Sequence, residues 1–298
     1  MSELLDNATI AQIKDLEIRT RILAQGAIVG QHPSNMRGVG IEFNQYRVYE
    51  PGDDPGKIDW KLFSRNDRYF VREAEKESAL NVWGMLDCSE SMHEQSRDGH
   101  WDKLAFAKNL LAALAYLSHQ QGDAIGMLAL NSDVLQYLPV RHGQRHYHQY
   151  LLQLEKLTAV NTFPKWETFP QYVHSVRQNS LVILVSDFYE SEQELLSLAQ
   201  NLSNFHCEVL AIQLETNDEV TFDFSGEIQF TERESGRKQT VSAHAIQEEY
   251  LLNRALFNEN LTNQLAKLGI KHVKVNIDQP IVHALQVVAS TLSNMGAR

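Results

Sequence analysis

The chain has two cysteines, Cys88 and Cys207, in 298 residues, far apart in sequence and both in strand-like surroundings. Such scarcity argues against a disulfide framework and fits a reducing compartment. No lysine or arginine neighbours Cys88 to stabilise a thiolate, so an inert buried thiol is expected there rather than a nucleophile. Long apolar runs are missing as well. No stretch approaches the roughly 20 residues that span a bilayer, and the N-terminus is polar and mixed in charge rather than signal-like, so the expectation is a cytoplasmic protein. Basic residues are outnumbered, 27 Lys and Arg against 38 Asp and Glu, for a net charge of -11. That balance argues against a broad electrostatic grip on nucleic acid, which needs clustered cations to displace counterions, and leaves room only for a local basic patch. Three nucleotide and hydrolase signatures are absent: a G-x-x-x-x-G-K-S/T loop, a G-x-G-x-x-G after a strand, and a G-x-S-x-G elbow. Nucleotide hydrolysis by this chain alone is therefore not expected.

What is present is enough for a sizeable core: one large α/β domain with an appendage, or two small domains. The most informative stretch is Val82-Trp83-Gly84-Met85-Leu86-Asp87-Cys88-Ser89-Glu90-Ser91-Met92. An apolar run ending in an acid and two alternating hydroxyls is how a buried parallel strand delivers oxygen ligands to the carboxyl edge of a sheet. Asp87, Ser89 and Ser91 suit a hard cation such as Mg2+, which takes oxygen donors octahedrally and usually keeps several waters. Their i, i+2, i+4 spacing points all three the same way on extended backbone. The same pentapeptide also reads as a polar loop after a core strand. A second buried run, Leu181-Val182-Ile183-Leu184-Val185, ends in Ser186-Asp187-Phe188, so Asp187 can reach the crevice that Asp87 borders.

Around these two strands the periodicity predicts helices over 8–25 (closed by Gly26), 101–119, 141–157, 166–177, 190–203, 244–268 and 281–293. It also predicts strands at 124–130, 208–214 and 271–277, with 134–140 returning as an antiparallel edge piece. Residues 216–242 are polar, turn-rich and alternating, which suggests an inserted surface β-hairpin. His142, His146 and His148 invite a zinc reading, but no cysteine accompanies them and no H-E-x-x-H spacing appears, so a solvated helix start is preferred. The division expected is 1–78, an N-terminal helix with a turn-rich subdomain, and 79–298, the main domain.

The turn-rich part carries Arg37-Gly38-Val39-Gly40-Ile41-Glu42-Phe43, then Arg47-Val48-Tyr49-Glu50-Pro51-Gly52-Asp53-Asp54, Ile58-Asp59-Trp60, Ser64-Arg65 and Val71-Arg72-Glu73. One reading is a structural knot in which Arg47 and Arg65 pair with Asp53, Asp54 and Asp59; the other is a partner-docking surface that also uses Trp60. With the D-x-S-x-S-M strand end that follows, these motifs in this order resemble the bacterial domain-of-unknown-function family fifty-eight. That is a von Willebrand factor A-like group whose members are often encoded beside MoxR-type AAA+ ATPases. The family often has a basic pair after G-D-D-x, where this chain reads Pro55-Gly56-Lys57.

The resemblance implies an α/β fold, a von Willebrand factor A-like (Rossmann-like) mostly parallel sheet with helices on both faces. It also implies a metal-ion-dependent adhesion site (MIDAS) that draws a threonine and a second aspartate from later loops. By its place in the order that threonine is Thr162, with Thr158 and Thr168 as alternatives, and the aspartate is Asp187. The expected function is non-enzymatic: Mg2+ (or Mn2+ or Ca2+) held by these residues with one position left for a partner's carboxylate, in an adaptor working with a MoxR-type AAA+ ATPase on a client protein. Two other readings remain, a metal-dependent hydrolase using the same site, and a module with a vestigial metal site that docks through residues 51–60.

Overall fold

The computed structural model describes residues 7–29, 44–48, 69–74, 80–132, 136–165, 167, 170–176, 180–189, 192–205, 207–231 and 238–295. Along the chain these form helices α1 (Asn7–Gln12) and α2 (Leu16–Val29), strands β1 (Asn44–Val48), β2 (Phe70–Ala74) and β3 (Asn81–Asp87), and helix α3 (Lys103–Gln120). Strands β4 (Ala124–Leu130) and β5 (Gln136–Arg141), helices α4 (Gln144–Lys156) and α5 (Pro170–Val173), strand β6 (Ser180–Ser186) and helix α6 (Glu192–Asn204) follow. The chain continues with strand β7 (Glu208–Glu215), helix α7 (Asn217–Thr221), strands β8 (Glu227–Thr231) and β9 (Lys238–Ser242), helix α8 (Ala243–Lys267), strand β10 (Lys271–Asn276) and helix α9 (Ile281–Met295).

The main sheet has the order β10-β7-β6-β3-β4-β5. All its neighbours run parallel except β5, which returns antiparallel on β4 at the edge. Parallel strands joined by helical crossovers are covered on both faces, which is why β3 and β6 read as unbroken apolar runs. Alternate residues divide between two apolar layers. Val82, Leu86, Ile183, Val185 and Ile212 pack with α2, α3, α4 and α9, while Trp83, Met85, Val182, Leu184 and Ala211 pack with α6 and α8. This is the α/β architecture expected from the sequence, a mostly parallel sheet with helices on both faces.

Two details of the N-terminal helices differ from expectation. The single helix predicted over 8–25 is two, because the Asp15 carboxylate accepts the Ile18 amide at 3.0 Å and starts a new helix. Nor does α2 stop at Gly26; it continues to Val29. A mid-helix glycine costs about 1 kcal/mol relative to alanine, and burial of Leu23, Ala24 and Ala27 offsets it. Both N-terminal helices share the apolar layer of α3 and α9. Asn7 ties them to the far end of the chain: its side chain donates to the Gln279 carbonyl at 3.0 Å and accepts the Ile281 amide at 3.0 Å, capping α9.

Strand β5 passes through Pro139 to Arg141, with a register shift between Ile125 and Met127 of its partner. A proline is tolerated there because β5 is the edge. Of the helix expected at 166–177 the described residues contain α5 alone. The segment 216–242 forms α7 followed by the antiparallel hairpin β8-β9. Among the described residues no helix is long and apolar enough to cross a membrane.

Candidate metal centre

The strand order reverses at β3: its neighbour on one side is β4, and on the other β6, followed outward by β7 and β10. Loops leaving β3 and β6 therefore diverge to opposite faces and open a crevice at their carboxyl ends, where open α/β sheets bind ligands. Asp87 and Ser186 are the last residues of those two strands.

Asp87 is 1% exposed. Its Oδ1 accepts the Ser89 amide at 2.9 Å and the Ser89 hydroxyl at 2.7 Å, and its Oδ2 accepts the Ser186 hydroxyl at 2.6 Å. Ser91 Oγ lies 3.2 Å from Ser89 Oγ. Since the Ser89 proton is committed to Asp87, Ser91 donates in that pair. Asp187 is the next residue after β6. Its Oδ1 accepts the Tyr189 amide at 3.3 Å, and its Oδ2 meets the Lys103 ammonium at 3.3 Å. The same ammonium lies 2.7 Å from Glu219 Oε1. Glu219 itself belongs to a capping box: it accepts the Thr216 amide at 2.7 Å while Thr216 Oγ1 accepts the Glu219 amide at 3.2 Å.

The two acids differ in electrostatic setting. Asp187 has Lys103, whereas among the described residues no lysine or arginine ion pair reaches Asp87. Burial, and then the neighbouring Asp187 charge, push the Asp87 carboxyl up to about 6 despite hydrogen bonds from Ser186 and Ser89 that favour its ionised form. Burial works against the Lys103 ammonium, yet Asp187 and Glu219 outweigh it and hold its pKa above the ordinary lysine range. The Cys88 thiol is pushed far up by burial and by Asp87, so the inert reading of this cysteine stands.

Donor type and spacing fit a small hard cation. Adjacent ligands of an octahedral ion with metal–oxygen distances of about 2.1 Å lie roughly 3.0 Å apart. The Asp87–Ser89 and Ser89–Ser91 separations of 2.7 and 3.2 Å bracket that edge. A buried carboxylate whose protein partners are hydroxyls and an amide is also the group whose charge a cation would compensate.

Thr162 lies on a loop that borders this cluster. Its loop is pinned to the D-x-S-x-S turn, with the Val160 amide donating to the Cys88 carbonyl at 2.9 Å and the Glu90 amide to the Asn161 carbonyl at 2.8 Å. The Thr162 carbonyl accepts the Ser132 amide at 2.9 Å, and the residue is exposed. Thr158 is also exposed on that loop, and Thr168 lies outside the described residues. Two non-glycine residues with left-handed backbone flank the crevice, Asn161 at φ 55° and Phe188 at φ 63°. A buried phenylalanine in that region is an outlier of the kind that collects at functional sites. Its amide is held by Ser186 Oγ at 3.0 Å, so one hydroxyl bridges the bend and Asp87.

Among the other sequence candidates, Arg47 lies in β1 opposite Val71 of β2, while Asp53, Asp54, Asp59, Trp60 and Arg65 lie outside the described residues. The histidines are apart and engaged: His142 with the Gly122 carbonyl, His146 with the Ile125 carbonyl, His148 with Glu17. Among the described residues no group of three or more His, Cys, Asp or Glu is gathered for a metal. Ser186, Lys103 and Glu219 are the residues that sequence reasoning missed. For Lys103 a signal existed: a cation in the first turn of a helix opposes the helix dipole and calls for an acid to face it.

The family model described as "Protein of unknown function DUF58" matches residues 45–259. Uncharacterized proteins of Mycobacterium bovis and Mycobacterium tuberculosis are each 25% identical over 234 residues, covering 78% of this chain and 73% of theirs. Similar solved structures include the conserved hypothetical protein BatB from Bacteroides thetaiotaomicron, with TM-score 0.49 and 16% identity over 74% of this chain and 99% of that one. The SpRpn10 VWA domain is similar at TM-score 0.41 and 11% identity, over 70% of this chain and 93% of that one.

Proposed function

Because the chain belongs to the DUF58 family, whose description carries no activity, we propose its function from the site: a metal-dependent protein-interaction module that takes a partner's carboxylate. The observation that carries this reading is the joining of two strand ends through one buried carboxylate, Asp87, which holds Ser89 and Ser186 while lacking a lysine or arginine ion pair among the described residues. In this reading Asp87, Ser89 and Ser91 hold Mg2+ (or Mn2+ or Ca2+), with Thr162 and Asp187 completing the set from neighbouring loops. The ion supplies an electropositive contact for an Asp or Glu of the partner. The hydroxyl donors are neutral and add no negative charge beyond that of the two aspartates, so the ion stays a Lewis acid to which an incoming carboxylate can bind.

The wider setting comes from the family resemblance: a non-enzymatic cytoplasmic adaptor that works with a MoxR-type AAA+ ATPase on a client protein. A second reading is favoured by the Lys103–Asp187 contact, in which a lysine already serves one acid, the metal site is vestigial, and docking runs through residues 51–60.

Calorimetry with Mg2+ and Mn2+ on wild type and Asp87→Ala separates the two. The metal-dependent reading expects binding at pH 7.5 that the variant loses. Binding should also weaken as pH falls through about 6, where a proton takes over the Asp87 carboxylate. A folded wild-type protein that takes up neither ion rejects the metal-dependent reading. Pull-down of the MoxR-type ATPase that is unaffected by EDTA but lost in Asp53→Ala/Asp54→Ala would establish the second.

A further inference from the structure

Lys103 is the least expected residue of the site: a charged side chain only 1% exposed, on the first residue of α3, reaching Asp187 at 3.3 Å and Glu219 at 2.7 Å. Its position is built from three directions. The Asp102 carboxylate caps α3 through the Ala105 amide at 2.6 Å, the Lys103 amide donates to the Glu94 carbonyl at 2.9 Å, and Glu219 is fixed in turn by its capping box with Thr216. The loop after the D-x-S-x-S turn is tied to the same insertion, since Arg97 pairs with Asp218 at 3.2 Å and Asp223 at 3.1 Å.

We infer that Lys103 is a specificity-determining residue, whose buried positive charge weakens the hold on a divalent cation and strengthens the preference of the loaded site for an anionic partner group. The inference rests on the metal-dependent reading above. Its basis is charge. Asp87 and Asp187 together match the two positive charges of a divalent ion, and a site balanced in that way has little excess charge to offer a carboxylate. The Lys103 ammonium takes up part of the Asp187 charge while it is shared with Glu219, so the same ion is left less than fully balanced. In a buried setting, where unit charges interact far more strongly than in water, the excess repels the metal and attracts the ligand. Glu219, on the far side of the ammonium, tempers this effect. The insertion that supplies Glu219 thereby adjusts the site without touching the metal ligands.

Removing one charge or the other gives opposite outcomes. In Lys103→Met, Mn2+ titrated into the full chain and followed by water-proton relaxation should bind about tenfold tighter or more. Several-fold more acetate should then be needed to displace the metal-bound water. In Glu219→Gln, which keeps the lysine and removes its counter-charge, Mn2+ should bind several-fold more weakly while acetate competes at least as well as in wild type. A purely structural ion pair predicts loss of stability in both variants with no opposed shift in Mn2+ affinity. Should Lys103→Met fail to fold, weaker Mn2+ binding by Glu219→Gln still supports the inference and an unchanged affinity overturns it. Equal Mn2+ affinity in all three proteins overturns the role of Lys103 and leaves metal binding standing; a folded wild type that binds no Mn2+ overturns both.

Discussion

Gly84 is where the phenol of Tyr150 lies against the middle of β3. A Cβ at this position would stand 2.6 Å from Tyr150 Oη and 3.4 Å from a Leu111 methyl, so no larger residue fits without displacement. Overpacking of this kind costs about 1–3 kcal/mol. Gly84→Ala is expected to lower the free energy of unfolding by that amount in urea melts, with an unchanged slope. Adding Tyr150→Phe removes the blocking oxygen and should recover most of the loss. A double variant no more stable than Gly84→Ala alone would show that the Leu111 contact, not the phenol, sets the limit.

Helix α3 connects the apolar core to the charged site. Its inner face, Leu104, Phe106, Ala107, Leu110, Leu111 and Leu114, is buried, while its first turn carries Lys103 against the helix dipole. Asp102 compensates at that end by capping the helix, so Asp102→Ala is expected to cost about 0.5–2 kcal/mol in chemical denaturation. A neutral outcome would mean that the core face alone fixes the start of α3. Much of this scale was legible in the sequence. Strands β3 and β6 stood out because burial on both faces makes parallel strands continuously apolar, and their terminal acids, Asp87 and Asp187, could be read as sharing a crevice. The break at Asp15 was not legible, because a single capping aspartate within a helical period looks like any exposed acid. Nor was the run of α2 through Gly26, which depends on what the helix buries. Lys103 and Glu219 are 116 positions apart in sequence and meet only through the tertiary fold.

For the whole molecule, acid should act through groups whose protonation differs between folded and unfolded chains. Burial, and then Lys274, lower the His272 pKa to about 4 from an ordinary 6.5; the ring lies between Gln213 and Thr262. The unfolded chain therefore binds a proton that the folded one refuses, and the stability due to His272 is lost as pH falls from 6.5 towards 4. Asp87 has the opposite sign: its raised pKa means that the folded state holds the proton better, so its contribution declines as pH rises from about 4 through 6. The melting-temperature advantage of wild type over His272→Gln should shrink between pH 6.5 and 4. A difference that stays constant over that range would place the His272 pKa near its ordinary value.

The cap that Asn7 places on α9 also bears on how the protein is made. Helix α9 supplies Ile281, Leu285 and Val288 to the layer that covers α2 and α3. On the ribosome, therefore, α1 and α2 emerge long before α9 is synthesised. That face of the sheet cannot close until α9 has been made, and Leu23 and Ala27 are left to chaperones or transient contacts in the meantime.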